Sequence, residues 1–96
     1  MEFSFDPDKD NWLQTHRGMG FRDVIFWIES GAALQIMAHP NPRKYPGQRL
    51  LVLEINDYCL VVPFEESNGT YILKTIYPSR KMTRRHKQSS RGDSHA

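Results

Sequence analysis

Cysteine is nearly absent from this 96-residue chain: Cys59 stands alone, so no internal disulfide can form. It lies inside the apolar run Tyr58-Cys59-Leu60-Val61-Val62, where a small buried hydrophobe is expected, and nothing nearby supplies the base that would make it a nucleophile. Long apolar runs are also missing. With neither a membrane-spanning stretch nor a signal-peptide pattern, the expected compartment is the cytoplasm and no membrane partner is expected. No Walker loop, dinucleotide fingerprint or zinc-spaced Cys/His set occurs, so neither a cofactor nor a metal is expected. Asp6-x-Asp8-x-Asp10 imitates the start of a calcium loop, but the sixth position is Asn11 rather than Gly and the twelfth is Arg17 rather than Glu. Acids in a first helical turn are accounted for by the helix dipole.

What is present is an ordinary globular composition, 39% apolar and 25% charged. A chain of this size makes one domain whose core excludes a deep cofactor cavity, so any active site is expected to be a shallow surface groove. The charge is unevenly spread. Residues 79–96 carry six Lys or Arg (Arg80, Lys81, Arg84, Arg85, Lys87, Arg91) against Asp93, a net of +5, whereas residues 1–78 hold seven bases and ten acids, a net of −3. A concentrated cationic segment beside a mildly acidic body fits a protein that meets a polyanion at one place, RNA or DNA first. The alternative is a solvated basic tail.

Phe3 and Phe5 alternate with polar residues and suggest a short opening strand. Asp6 is a good N-cap and Pro7 a good first helical residue, so a helix is predicted from Pro7 to His16, stopping at Gly18, with Trp12 and Leu13 as its apolar face. Phe21, Val24, Ile25 and Ile28 follow the spacing of one buried stripe and predict a second helix from Phe21 to Ser30, with Gly31 as its C-cap and with Phe26 and Trp27 widening the stripe. Ala33 to Met37 reads as a short strand or an irregular entry, and His39 to Gly47, with three prolines and a glycine, as a loop. Gln48 to Ile55, Tyr58 to Phe64 and Thr70 to Tyr77 read as strands joined by turns at Asn56-Asp57 and Ser67-Asn68-Gly69. Pro63 inside the middle run calls for a bulge or an early strand end. Ser79 can cap a basic helix from Arg80 to Lys87. The predicted class is α+β: two N-terminal helices packed on a small antiparallel sheet of three to four strands, with a short basic C-terminal helix. Residues 1–87 form the domain and 88–96, without apolar residues, a disordered tail.

The stretch Phe5-Asp6-Pro7-x-Lys9, then Gly18 and Phe21, an amphipathic helix, a strand meander and a closing Ser79-Arg80-Lys81-x-Thr83-Arg84-Arg85 resembles the BrnT family of toxins from type II toxin-antitoxin systems. The likeness runs from Phe3 to Arg85, and the closing motif is its most specific part. Arg17 stands where the family has histidine, Pro78-Ser79 where the closing motif has Ser-Ala, and Lys74 where the family tends to place arginine. The resemblance implies a RelE-like fold, metal-independent cleavage of RNA, and a cognate antitoxin partner, with operator DNA reached only through the toxin-antitoxin complex.

Such cleavage has the 2′-hydroxyl attack the adjacent phosphorus and needs a base, an acid for the leaving oxygen and cations against the phosphorane charge. Arg80, directly after the last strand, is the first candidate cation, with Lys74 and Lys81 behind it. Arg84, Arg85 and Lys87, further along the helix, are candidates for backbone phosphates. His39 opens the Pro-rich loop that also holds Arg43, Lys44 and Tyr45, and titrates in the range that suits either proton role; equally, it packs or caps at a strand end. Tyr45 or Tyr77 could stack a base or donate a proton, or be half-buried sheet and loop aromatics. Glu54 is a candidate base only if its strand turns it toward the groove. A non-catalytic reading, in which the same basic helix binds nucleic acid or an antitoxin as an autorepressor or interaction component, stands beside the nuclease.

Overall fold

Asp6 and Pro7 start the first helix as their chemistry dictates: the Asp6 carboxylate accepts the Asp8 N–H at 3.0 Å and proline occupies the first turn, where its missing donor costs nothing. The computed structural model describes residues 2–84 of the chain. The tail 88–96 and the site candidates Arg85 and Lys87 lie outside the described residues. The elements run β1 (Glu2–Ser4), α1 (Pro7–Arg17), α2 (Phe21–Glu29), β2 (Ala33–Ala38), β3 (Gln48–Ile55), β4 (Tyr58–Ser67), β5 (Thr70–Leu73) and β6 (Tyr77–Pro78). A final helix, α3, is described over residues 80–84. Gly18 closes α1 in the left-handed region at φ 71°, and the two hairpin turns put Asn56, Asp57, Asn68 and Gly69 at positive φ. No helix among the described residues is long and apolar enough to cross a membrane.

The class is α+β, and the sheet is larger than the sequence suggests. It has six strands and is mixed, in the order β1-β5-β4-β3-β2, with β6 also on β4. The opening strand, β1, joins parallel to β5, and β2 is a full six-residue strand antiparallel to β3. Neither pairing was legible locally, because a strand's partner is fixed by the sheet edge it reaches and not by its own alternation.

Pro63 does disturb the sheet, but in its neighbour. β4 runs through it, and its carbonyl accepts the Lys74 N–H at 2.8 Å. An antiparallel pair at this position would need a returning N–H, which proline lacks. Beyond it the register slips: Phe64 pairs Leu73, yet Val61 pairs Tyr77, so Thr75 and Ile76 together oppose Val62. This is a β-bulge, and it separates β5 from β6. The Ile76 carbonyl at the bulge takes a hydrogen bond from the Arg17 guanidinium at the end of α1.

One face of the sheet, with Leu51, Leu53, Leu60, Val62, Phe64, Leu73 and Ile76, packs beneath Leu13, Phe21 and Val24 of the two helices. The other face, with Leu50, Val52, Cys59 and Val61, is covered by Met37, Tyr77 and Met82. The stripe of α2 is as expected for Phe21 and Val24, which are buried, and for Ile25 and Ile28, which pack against the core. Phe26 instead is 66% exposed. Trp12 is also a correction: it is 42% exposed while Leu13 is fully buried, because Trp12 lies about 100° around the helix from Leu13, at the margin of the buried stripe. Trp12 lies under Lys9 Nζ at 4.6 Å and stacks on His16 at 4.5 Å, which uses its ring at the surface.

The joint between α1 and α2 is polar. Asp10 is 2% exposed, and its carboxylate accepts the Phe21 N–H at 2.6 Å and the Gln14 amide at 3.0 Å. A first-helix acid thus caps the second helix. Gly20 gives it room, since a Cβ there would collide with Asp10 Oδ1 and crowd Gln14 Cγ at 2.9 Å.

Two stability outcomes follow. Leu13→Ala is expected to cost roughly 2 to 5 kcal/mol and Trp12→Ala clearly less, read from urea unfolding of both variants. Asp10→Ala, which strands a buried backbone donor, is expected to cost about 1 to 3 kcal/mol; an unchanged midpoint would remove the carboxylate from the joint.

Candidate functional site

The bulge decides which side chains meet on the face away from α1 and α2. In an unbroken strand Lys74 and Tyr77, three positions apart, would point to opposite faces. With one extra residue inserted, Lys74 shares the face of Pro63 and Glu65, and Tyr77 packs on that same face against the Leu50 cluster. Here a groove of about 250 Å³ opens, lined by His39, Tyr45, Gln48, Pro63, Lys74, Thr75 and Tyr77. Its lining comes from β4 and β6, the Pro-rich loop, the start of β3 and the bulge.

His39, Tyr45, Lys74 and Tyr77 each have a definite partner or chemical state. The Asn41 N–H donates to His39 Nδ1 at 3.0 Å, so neutral His39 carries its proton on Nε2 and presents a donor there. Its ring lies against Tyr45 at 4.7 Å between centroids, and Lys44 Nζ sits 5.4 Å from the Tyr45 ring. Lys74 Nζ pairs with Glu65 at 3.6 Å across a half-exposed surface. Burial, with a smaller contribution from the nearby Tyr45, pushes the Tyr77 phenol above its usual value of 10.0, which keeps it a protonated donor. The lining therefore offers an imidazole N–H, two phenols, a hydroxyl, an amide and an ammonium, and none of its described residues is a carboxylate.

The expected site residues divide into two groups. His39, Tyr45 and Lys74 come together in the groove, and Lys44 flanks it through the Tyr45 ring. Arg43 is exposed on the same loop. Arg80, Lys81 and Arg84 are exposed on α3 and do not line the groove. α3 nevertheless lies on the groove's side of the sheet, because Met82 packs on the Leu50 cluster. Its anchoring is specific. Ser79 Oγ accepts the Met82 N–H at 3.2 Å, the Ser79 N–H donates to the Cys59 carbonyl at 3.0 Å, and buried Thr83 Oγ1 accepts the Cys59 N–H at 2.9 Å while donating to the Ser79 carbonyl at 2.7 Å. Burial pushes the Cys59 thiol up against a smaller opposing effect of Thr83, which suits a packing role.

Gln48 and Thr75 were not found from the sequence. Gln48 was within reach, since alternation from Leu50 and Val52 puts it on their face. Thr75 was not, because its place depends on the bulge. No family model, curated protein or solved structure matches the chain.

The phenol of Tyr77 gives a pH outcome. Its folded value is raised, so the contribution of its protonated form is fully present below pH 10.0 and is lost as pH rises through the folded value. The difference between ultraviolet titrations of the parent chain and Tyr77→Phe should show one phenol ionising above pH 10.0, with stability falling over the same range; ionisation at or below that value would contradict the burial.

Proposed function

We propose that this protein is a cytoplasmic toxin of a type II toxin-antitoxin system, of RelE-like architecture, that cleaves RNA without a metal ion. The observation that carries this reading is the donor-rich lining of the groove, on the same side of the sheet as the cationic helix, with no carboxylate among the described lining residues and Glu65 beside it as the partner of Lys74. A phosphodiester needs such donors, and a carboxylate in the lining would repel it. Lys74 and Tyr77 would hold the scissile phosphate. The adjoining His39 and Tyr45 rings, tilted 35° to each other, offer aromatic faces for a base, and Arg80, Lys81 and Arg84 offer contacts to phosphates along the strand. In the reaction the 2′-oxygen bonds to phosphorus as its proton passes to solvent, and the bond from phosphorus to the 5′-oxygen breaks as that oxygen takes a proton from the Tyr77 hydroxyl, which solvent restores, giving a 2′,3′-cyclic phosphate. A cognate antitoxin would neutralise the protein, and operator DNA would be met only in their complex.

One observation favours the second reading, a non-catalytic nucleic-acid-binding or autorepressor component. Among the described residues His39 is the only imidazole in the lining, and its Nδ1 lone pair is already engaged by Asn41, so it offers no free nitrogen as a base.

Purified protein incubated with RNA in EDTA is expected to yield cyclic-phosphate ends. Lys74→Ala is expected to slow this by roughly 10²-fold, and Arg80→Ala to weaken it with the fold intact by circular dichroism. RNA that stays whole while binding it falls steeply with salt would establish the second reading instead.

A further inference from the structure

The two edges of the sheet are built differently. β1, at one edge, is three residues long and carries Glu2, whose carboxylate is bonded to Thr70 at 3.4 Å. Short, charged edge strands resist further pairing. β2, at the other, is six residues long, Ala33-Leu34-Gln35-Ile36-Met37-Ala38, with no charge and no proline. Its register with β3 is constant from Ala33↔Glu54 to Ala38↔Arg49, so no bulge twists it away. Among the described residues no strand pairs with its outer side. Ile36 lies in the row of the helix-covered face, opposite Leu51, yet is 40% exposed.

We propose that β2 is a dimerisation edge, where a second copy of this chain adds its own β2 antiparallel to form one continuous sheet. Three features favour a second copy. The strand has no charge to repel its twin. Its flanks are of opposite sign, with Glu29 before it and Arg43 and Lys44 after it, and antiparallel pairing sets one copy's acidic flank beside the other's basic flank. Finally, a twofold axis normal to the sheet keeps each face in place, so the pairing must centre on Gln35 or on Ile36. Ile36 then meets either Leu34 or Ile36 of the second copy, and both registers bury the exposed side chain against an apolar one.

The full chain should therefore sediment as a dimer at about 100 µM and dissociate on dilution. In amide exchange, alternate residues of β2, those whose N–H points away from β3, should gain protection as concentration rises. Ile36→Lys and Gln35→Lys, both at exposed positions, should each raise the dimer dissociation constant roughly tenfold or more, with the melting of the dilute monomer unchanged. A chain that stays monomeric at that concentration, a dimer whose dissociation constant neither substitution moves, or β2 amides with no concentration dependence in the unmutated protein would overturn the proposal. RNA cleavage or binding by the monomer bears on the groove and leaves this result independent.

Discussion

Proline at position 63 has no N–H to return to Lys74, and the groove follows from that missing donor. The central strand continues through it, held by β3 on its other side, while the neighbouring strand gains a residue opposite Val62. That insertion turns Lys74 and Tyr77 to one face, leaves Ile76 on the other in the core, and exposes a carbonyl that the Arg17 guanidinium satisfies from the end of α1. A single absent hydrogen bond thus shapes the groove and ties it to the first helix. Arg17, where the resembled family has histidine, has a structural duty in this chain.

Polar contacts hold the remaining joints. Asp10 caps α2 from inside the interface, and Thr83 with Ser79 pins α3 to the first residues of β4. Buried groups of this kind are expensive to leave unpaired, so each fixes a geometry that apolar packing alone would leave free. The consequence on the groove side is a cationic helix set at a fixed place on the same face as the donor cluster. A diffuse basic tail would give attraction without position.

The sequence reading was strongest where the signal is local. The caps at Asp6 and Gly18, the start of α2 at Phe21, both hairpin turns and the Ser79 cap each depend on residues within one turn of the chain. It was weaker for burial: Trp12 and Phe26 are apolar by type, but their angular positions on the helices turn them outward. For the site, charge density singled out residues 80–84, whereas the groove gathers His39, Tyr45, Lys74 and Tyr77 from segments distant in the chain. Basic residues announce themselves by composition, but a set of donors sharing one concavity does not.

By itself, the sequence determined the α+β class, the helix caps and hairpin turns, and the concentration of positive charge after the last strand, because these depend on backbone preferences and composition within a few residues, whereas the end of β4 and the split of the expected strand Thr70–Tyr77 into β5 and β6 did not follow from it. Only the tertiary structure decided that β1 joins β5 in parallel, that β2 forms an open edge, and that Lys74 and Tyr77 face one groove. Strand partners and side-chain facing are set by hydrogen bonds between segments far apart in the chain, and a one-residue slip in such a pairing reverses every face beyond it.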